Sequence, residues 1–240
     1  MKQWRAALVC AAVAGLLGLA LGFAGARLLE SRTPRPAASF IETQRGHLAR
    51  LDSASLPGRV VFLGSSTFQG LDVSAITPLG LNLGLGGETI TALAKRIQTY
   101  RAPTQARAVV INAGLNDLIQ RCRLPEAGLD SAFAHIPPAT PTIVLGVQGV
   151  DSALHGTRCD GQLPQLIADL NRSLAAACAR RPDCSYVPHP IAPDDNTPEI
   201  ATLRESDGIH LSPAGYRKII EALHTALARI DPTLASPPTP

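Results

Sequence analysis

The stretch RVVFLGSSTFQG, residues 59–70, decides the fold. Its VVFL core is apolar at consecutive positions, the pattern of a strand buried on both faces. The run stops at Gly64 and is followed by two adjacent hydroxyls, Ser65 and Ser66. A serine after a buried strand is either turn punctuation or chemistry, and the rest of the chain separates the two.

Further short apolar runs read as strands at Leu81–Leu83, Ala108–Asn112 and Thr142–Val147, with a weaker one at Ser185–Val187. Helical patterns lie between them. Ile90, Leu93, Ala94 and Ile97 share one face, as do Leu163, Leu166, Ile167, Leu170 and Leu174. A last helix starts at Pro213, with Ser212 placed to cap it, and carries Tyr216, Ile219, Ile220, Leu223, Leu227 and Ile230 along one stripe. Strand and helix in alternation predict an α/β domain, a three-layer α/β/α sandwich around a roughly five-stranded parallel sheet. No internal repeat and no second domain is visible.

The chain of 240 residues carries 22 Lys and Arg against 19 Asp and Glu, a net charge of +3. That charge, with no Lys/Arg run longer than two and only 4% aromatic residues, argues against a nucleic-acid partner. A short basic lead, Met1 to Arg5, precedes an uncharged Ala/Leu/Val/Gly run from Ala6 to Ala26. Such a run suits a membrane anchor or a secretory signal, with Ala24-Gly25-Ala26 fitting a small-x-small cleavage site. The basic lead places everything after it outside, so the chain is expected to be exported, periplasmic or extracellular. The expected division is residues 1–26 as anchor or signal, 27–57 as linker and leading helix, 58–230 as the main α/β domain, and 231–240 as a disordered Pro-rich tail. The stretch SRTPRPAA, residues 31–38, reads as the linker itself.

Cys122, Cys159, Cys178 and Cys184 follow the N-terminal run. In an oxidising compartment they suggest disulfides, and four cysteines permit three pairings. The short spacing favours Cys178–Cys184, leaving Cys122–Cys159. No CxxC and no closely paired histidine points to a metal.

In parallel sheets the working groups gather at the carboxyl ends of strands. After the first strand stand Gly64-Ser65-Ser66-Thr67, after the second Gly84-Leu85-Gly86-Gly87-Glu88-Thr89, and after the third Ala113-Gly114-Leu115-Asn116-Asp117. Just before the last helix comes Asp207-Gly208-Ile209-His210. Attack by serine on an acyl carbon needs a base, an anion to orient the base, and donors for the oxyanion. An Asp and a His three apart in one turn can supply the first two. The Ser66 N–H, a glycine N–H after strand two and the Asn116 amide can supply the donors. Each signal alone is weak, and their joint placement is strong.

With these blocks in order, the sequence resembles the SGNH (GDSL-type) hydrolase superfamily over roughly residues 58–230, with a flavodoxin-like fold. FLGSSTFQG is similar to the first family block, NLGLGGET to the second, AGLND to the third and DGIHLSPAGY to the last. The resemblance implies Ser66 as nucleophile, with Gly87, Asn116 and the Ser66 N–H forming the oxyanion hole. It implies His210 as base and Asp207 as its partner, with no cofactor and no metal. Ser65 stands where the family usually has Asp, a position outside the triad, and the resemblance to G-S-S members of the small acetylesterase and platelet-activating-factor acetylhydrolase type implies a mild preference for short acyl groups. The expected activity is a serine esterase on acetyl or other short-chain acyl esters, with carbohydrate as first substrate and lipid or thioester as second. An acyltransferase on the same fold, a lysophospholipase-type lipid hydrolase and a non-catalytic envelope binding module are the alternatives. The partners expected are thus a small-molecule, glycan or lipid acyl ester and, through the N-terminal segment, a membrane. Asp117 is expected to fix its loop through backbone N–H groups, and His189 is expected to be structural.

Overall fold

A computed structural model describes residues 36–125, 128–151, 159, 161–192 and 197–235. Gln44–Pro240 forms one compact unit, and the preceding residues belong to another. The segment 6–26 expected to be an anchor or signal lies outside the described residues, and among the described residues no helix is long and apolar enough to cross a membrane.

Strand β1, Val60–Gly64, lies inside a five-stranded sheet with the order β2-β1-β3-β4-β5. The others are β2 (Gly80–Asn82), β3 (Ala108–Asn112), β4 (Thr142–Leu145) and β5 (Cys184–Val187), and every pairing is parallel. All five residues of β1 and of β3 are buried, which explains their unbroken apolar runs. Alternate side chains feed two cores. Val61, Leu63, Val109, Ile111 and Val144 pack in one with Leu93, Leu170 and Leu174. Phe62, Val110, Ile143 and Leu145 pack in the other with Ile219, Leu223 and Leu227.

The helices in chain order are α1 (Pro36–Ala54), α2 (Ser66–Gln69), α3 (Ile90–Ile97), α4 (Leu115–Arg121), α5 (Asp130–Phe133), α6 (Leu163–Ala179), α7 (Pro198–Ala201) and α8 (Pro213–Ile230). The helical stripes read in the sequence correspond to α3, α6 and α8. Ser212 caps α8 by accepting from the Gly215 N–H, and Thr89 caps α3 by accepting from the Ala92 N–H at 3.2 Å.

Three boundaries differ from expectation. Helix α1 begins at Pro36, inside the stretch read as linker, because proline suits a first helical turn. Strand β4 ends at Leu145 rather than Val147, since both backbone groups of Val147 are taken by the side chain of Asn171 on α6, at 2.8 and 3.1 Å. Of residues 231–240, expected to be a disordered tail, 231–235 are described and carry a 3-10 turn at Pro232–Leu234, and the rest lies outside the described residues. Leu234 is buried there, and Asp231 pairs with Arg107 at 2.7 Å.

Disulfides join Cys122 to Cys159 and Cys178 to Cys184, the pairing that spacing favours. They fit an oxidising, exported environment. His189, after β5, is buried; its Nδ1 accepts from the Ile191 N–H at 3.1 Å, and Nε2 has no hydrogen-bond partner among the described residues. Burial, reinforced by the charge of Arg204, pushes its pKa down from 6.5 to about 3. Unfolded chain therefore takes up a proton that folded chain refuses as pH falls below 6.5, and stability is lost between there and about pH 3. Urea titrations of wild type and His189→Leu across that window test this. The wild-type curve is expected to fall more steeply, by up to about 1.4 kcal/mol per pH unit, whereas parallel curves contradict it.

Candidate active site

The order β2-β1-β3-β4-β5 places a switch point at β1 and β3, where loops diverge to leave a crevice at the strand ends. Ser66 follows β1, Gly87 follows β2 and Asn116 follows β3, so the three stand around that crevice. Gly64 lets the chain turn there: a side chain on it would run into the Asn112 carbonyl of β3. Ser65 is buried at 4% exposure, and its N–H donates to Asn112 O at 3.3 Å. Ser66 is partly exposed between buried Ser65 and Thr67. It opens the one-turn helix α2, where a first-turn N–H has no acceptor within the helix.

The loop from Leu83 to Ile90 carries Gly87 and is gripped on every side by side chains. Asn82 donates to the Phe68 and Leu71 carbonyls at 2.6 and 3.0 Å and accepts from the Gly84 N–H at 2.9 Å. Gln69 accepts from the Gly86 N–H at 2.6 Å. Gln120 donates to Gly87 O at 3.3 Å, and Asn116 Nδ2 donates to Glu88 O at 3.1 Å. Asp117 Oδ2 accepts from the Ile90 N–H at 2.9 Å, a backbone contact on the loop after β2 rather than on its own loop as expected. Burial pushes the Asp117 carboxyl up, with the Ile90 amide and Arg121 opposing. With the Gly86 N–H taken, the Gly87 N–H is left without an acceptor among the described residues. Gly87 reaches this orientation at φ +74°, which favours glycine. Asn116 has two amide protons, and the bond to Glu88 uses one.

Beneath the loop lies a buried ion pair. Arg96 on α3 meets Glu88 with a two-pronged contact, Nε to Oε1 at 2.8 Å and Nη2 to Oε2 at 2.6 Å, and Nη2 also donates to Leu83 O at 2.9 Å. The side chains are 6% and 1% exposed. Burial pushes the Glu88 carboxyl up while Arg96 opposes it.

Asp207 and His210 occupy the turn before α8. Asp207 Oδ2 lies 2.5 Å from His210 Nδ1, while Oδ1 accepts from the Ile209 and His210 amides, both at 2.9 Å. Burial works against ionisation of Asp207, but the His210 ring and these amides outweigh it and hold the pKa at about 2. With the acid pinned on three donors, a neutral His210 ring carries its proton on Nδ1 and presents Nε2 as acceptor. The two side chains are 46% and 49% exposed, so this half of the site is open to solvent. Gln148, after β4, donates from Nε2 both to Thr67 Oγ1 at 3.2 Å and to Ile209 O at 3.3 Å. The residue after Ser66 and the residue before His210 thus share one nitrogen.

Sequence reading missed Asn82, Gln69, Gln120, Arg96 and Gln148. A signal existed for two of them: Asn82 and Gln148 are single polar residues inside apolar stretches, LNLGL and LGVQGV. Among the described residues no cluster of His, Cys, Asp or Glu could hold a metal ion.

Residues 57–218 match the model of the GDSL-like lipase/acylhydrolase family. The chain belongs to that family, and it is an ester-hydrolysing enzyme of the GDSL/SGNH type. Solved structures with the same fold include a Streptococcus pneumonia protein provisionally assigned as a platelet activating factor, at 17% identity and TM-score 0.63, covering 88% of this chain and 99% of that one. A GDSL-like lipase from Bacteroides thetaiotaomicron has 21% identity and TM-score 0.59 over 78% and 98% of the two chains. The family 3 carbohydrate esterase of Clostridium thermocellum has 17% identity and TM-score 0.53 over 72% and 97%. No curated protein matches the chain.

The buried Arg96–Glu88 pair carries a prediction. Removing one partner of such a pair strands the other charge, at a cost of about 3–5 kcal/mol. Arg96→Met is therefore expected to lower unfolding stability by that amount in a urea titration, and Glu88→Leu added to it is expected to restore much of the loss. An unchanged midpoint in Arg96→Met contradicts this role.

Proposed function

We propose that the chain is a serine esterase that works through an acyl-enzyme on Ser66. His210 Nε2 takes the proton from Ser66 Oγ as Oγ bonds to the acyl carbon, and Asp207 stabilises the imidazolium that forms. The carbonyl oxygen becomes the oxyanion and accepts from the Ser66 N–H, the Gly87 N–H and the free proton of Asn116 Nδ2. His210 then returns its proton to the leaving alkoxide, breaking the ester C–O bond. Water attacks the acyl-enzyme by the same route in reverse, releasing the acid and restoring Ser66.

The observation that carries this reading is the Asp207–His210 contact of 2.5 Å, with the second oxygen of Asp207 already held by two amides. A carboxylate so fixed orients the ring and remains ionised far below neutral pH. The preferred substrates are short acyl esters, acetyl above all, borne on carbohydrate. Support comes from the half-exposed acid and base, which a bulky ester can approach, and from the carbohydrate esterase among the structural neighbours. Residues 6–26 are assigned to export or anchoring, and 58–230 to the catalytic domain.

Hydrolysis of p-nitrophenyl acetate, butyrate and octanoate by purified protein tests the reading. The acetate is expected to give the highest kcat/KM. Ser66→Ala and His210→Ala are each expected to reduce kcat on the order of a thousandfold or more, and Asp207→Asn similarly because the ring loses its fixed tautomer. Wild-type turnover in Ser66→Ala or His210→Ala contradicts the mechanism, and a rate that rises with chain length contradicts the acyl preference.

A further inference from the structure

Gln148 is 1% exposed and lies in a segment that is otherwise apolar. A buried amide with no partner costs about 1–3 kcal/mol, so its partners explain its presence. They belong to two separate loops: Thr67 Oγ1, one residue past Ser66, and Ile209 O, one residue before His210. The orientation of the amide is fixed by chemistry. Only Nε2 can donate to the Ile209 carbonyl, and Oε1, 3.4 Å from Thr67 Oγ1, can accept the threonine hydroxyl proton.

The backbone around Gln148 is equally constrained. Val147 is clamped by Asn171 at 2.8 and 3.1 Å, and the Gly149 N–H donates to Ile191 O at 3.1 Å. Asn112 of β3 donates to Gly146 O at 2.8 Å. The same segment cradles the turn of the base: Arg204 Nε donates to Gly149 O at 3.2 Å, and the Asp151 N–H donates to Gly208 O at 2.9 Å. Among these contacts Gln148 is the one that reaches both turns. The α2 turn follows β1 and the Asp207–His210 turn precedes α8; Phe68 and Leu71 share a core with Leu211 and Tyr216, and Gln148 adds the hydrogen bonds that join the two turns themselves.

We propose that Gln148 is a positioning residue that sets the distance between the nucleophile turn and the base turn. This rests on Ser66 and His210 acting as nucleophile and base. The Gln148 side chain bonds Thr67 and Ile209 rather than Ser66 or His210, and through them aligns Ser66 Oγ with His210 Nε2. Misplacement of a reacting group by about 1 Å can cost on the order of a hundredfold in rate, which sets the scale of the effect.

The test is a set of variants assayed with p-nitrophenyl acetate, together with thermal unfolding. Gln148→Met keeps the volume and loses both hydrogen bonds. It is expected to lower kcat by about 10- to 100-fold with KM changed less than about twofold. Placed in His210→Ala, the same substitution is expected to change the remaining rate by less than about twofold, because there is no base left to misalign. Thr67→Val removes one end of the bridge without changing its shape and is expected to lower kcat in the same way; combined with Gln148→Met it adds nothing further. If Gln148→Met does not fold, Thr67→Val and its combination with His210→Ala decide by the same criteria. Full kcat in the Gln148 or Thr67 variant, or an undiminished effect in the His210→Ala background, overturns the proposal. Full activity in His210→Ala itself overturns instead the assignment of the base.

Discussion

Strand β1 has parallel neighbours on both edges and a core against each face, and the remaining architecture follows from that confinement. Nothing polar can be accommodated along its length, so any chemistry it serves must begin where the strand ends. Gly64 makes the end abrupt by allowing the backbone to lie against the Asn112 carbonyl. The next residue is buried and the one after it is partly exposed. This single step in accessibility is what favours Ser66 over Ser65 as the serine proposed to meet a substrate.

The second constraint concerns the amides. An N–H that is to stabilise a developing oxyanion must point at it beforehand, because reorientation during the reaction consumes the advantage. Here the loop from Leu83 to Ile90 is held by the side chains of Asn82, Gln69, Gln120, Asn116 and Asp117, with the Arg96–Glu88 pair beneath. Their combined effect is to occupy the neighbouring backbone groups and leave the Gly87 N–H available. The buried ion pair contributes little as a pair, since desolvation offsets its attraction, but it fixes the place of the loop.

Much of this was legible in the amino-acid order. The unbroken apolar runs at Val60–Leu63 and Ala108–Ile111 announce strands covered on both faces, and Ser212-Pro213 announces the start of α8. The blocks that meet at the crevice are each local in sequence, and their positions after successive strands follow from the fold class alone. Contacts that depend on long-range placement were not legible. Whether β4 continues through Val147 depends on Asn171, 24 residues away. The turn at Pro232–Leu234 meets Arg107, 124 residues from Asp231. Gln148 gives a local hint as a lone amide among apolar residues, yet its partners at 67 and 209 appear only when three loops meet in space.

The central claim is that the exposed serine of the pair, and not its buried neighbour, is the nucleophile. The most direct measurement is peptide mass mapping after reaction with a fluorophosphonate, applied to wild type, Ser65→Ala and Ser66→Ala. A single adduct on the peptide carrying residues 65 and 66, kept in Ser65→Ala and lost in Ser66→Ala, is the result expected from the site described. An adduct that survives in Ser66→Ala, or that maps to another peptide, contradicts it.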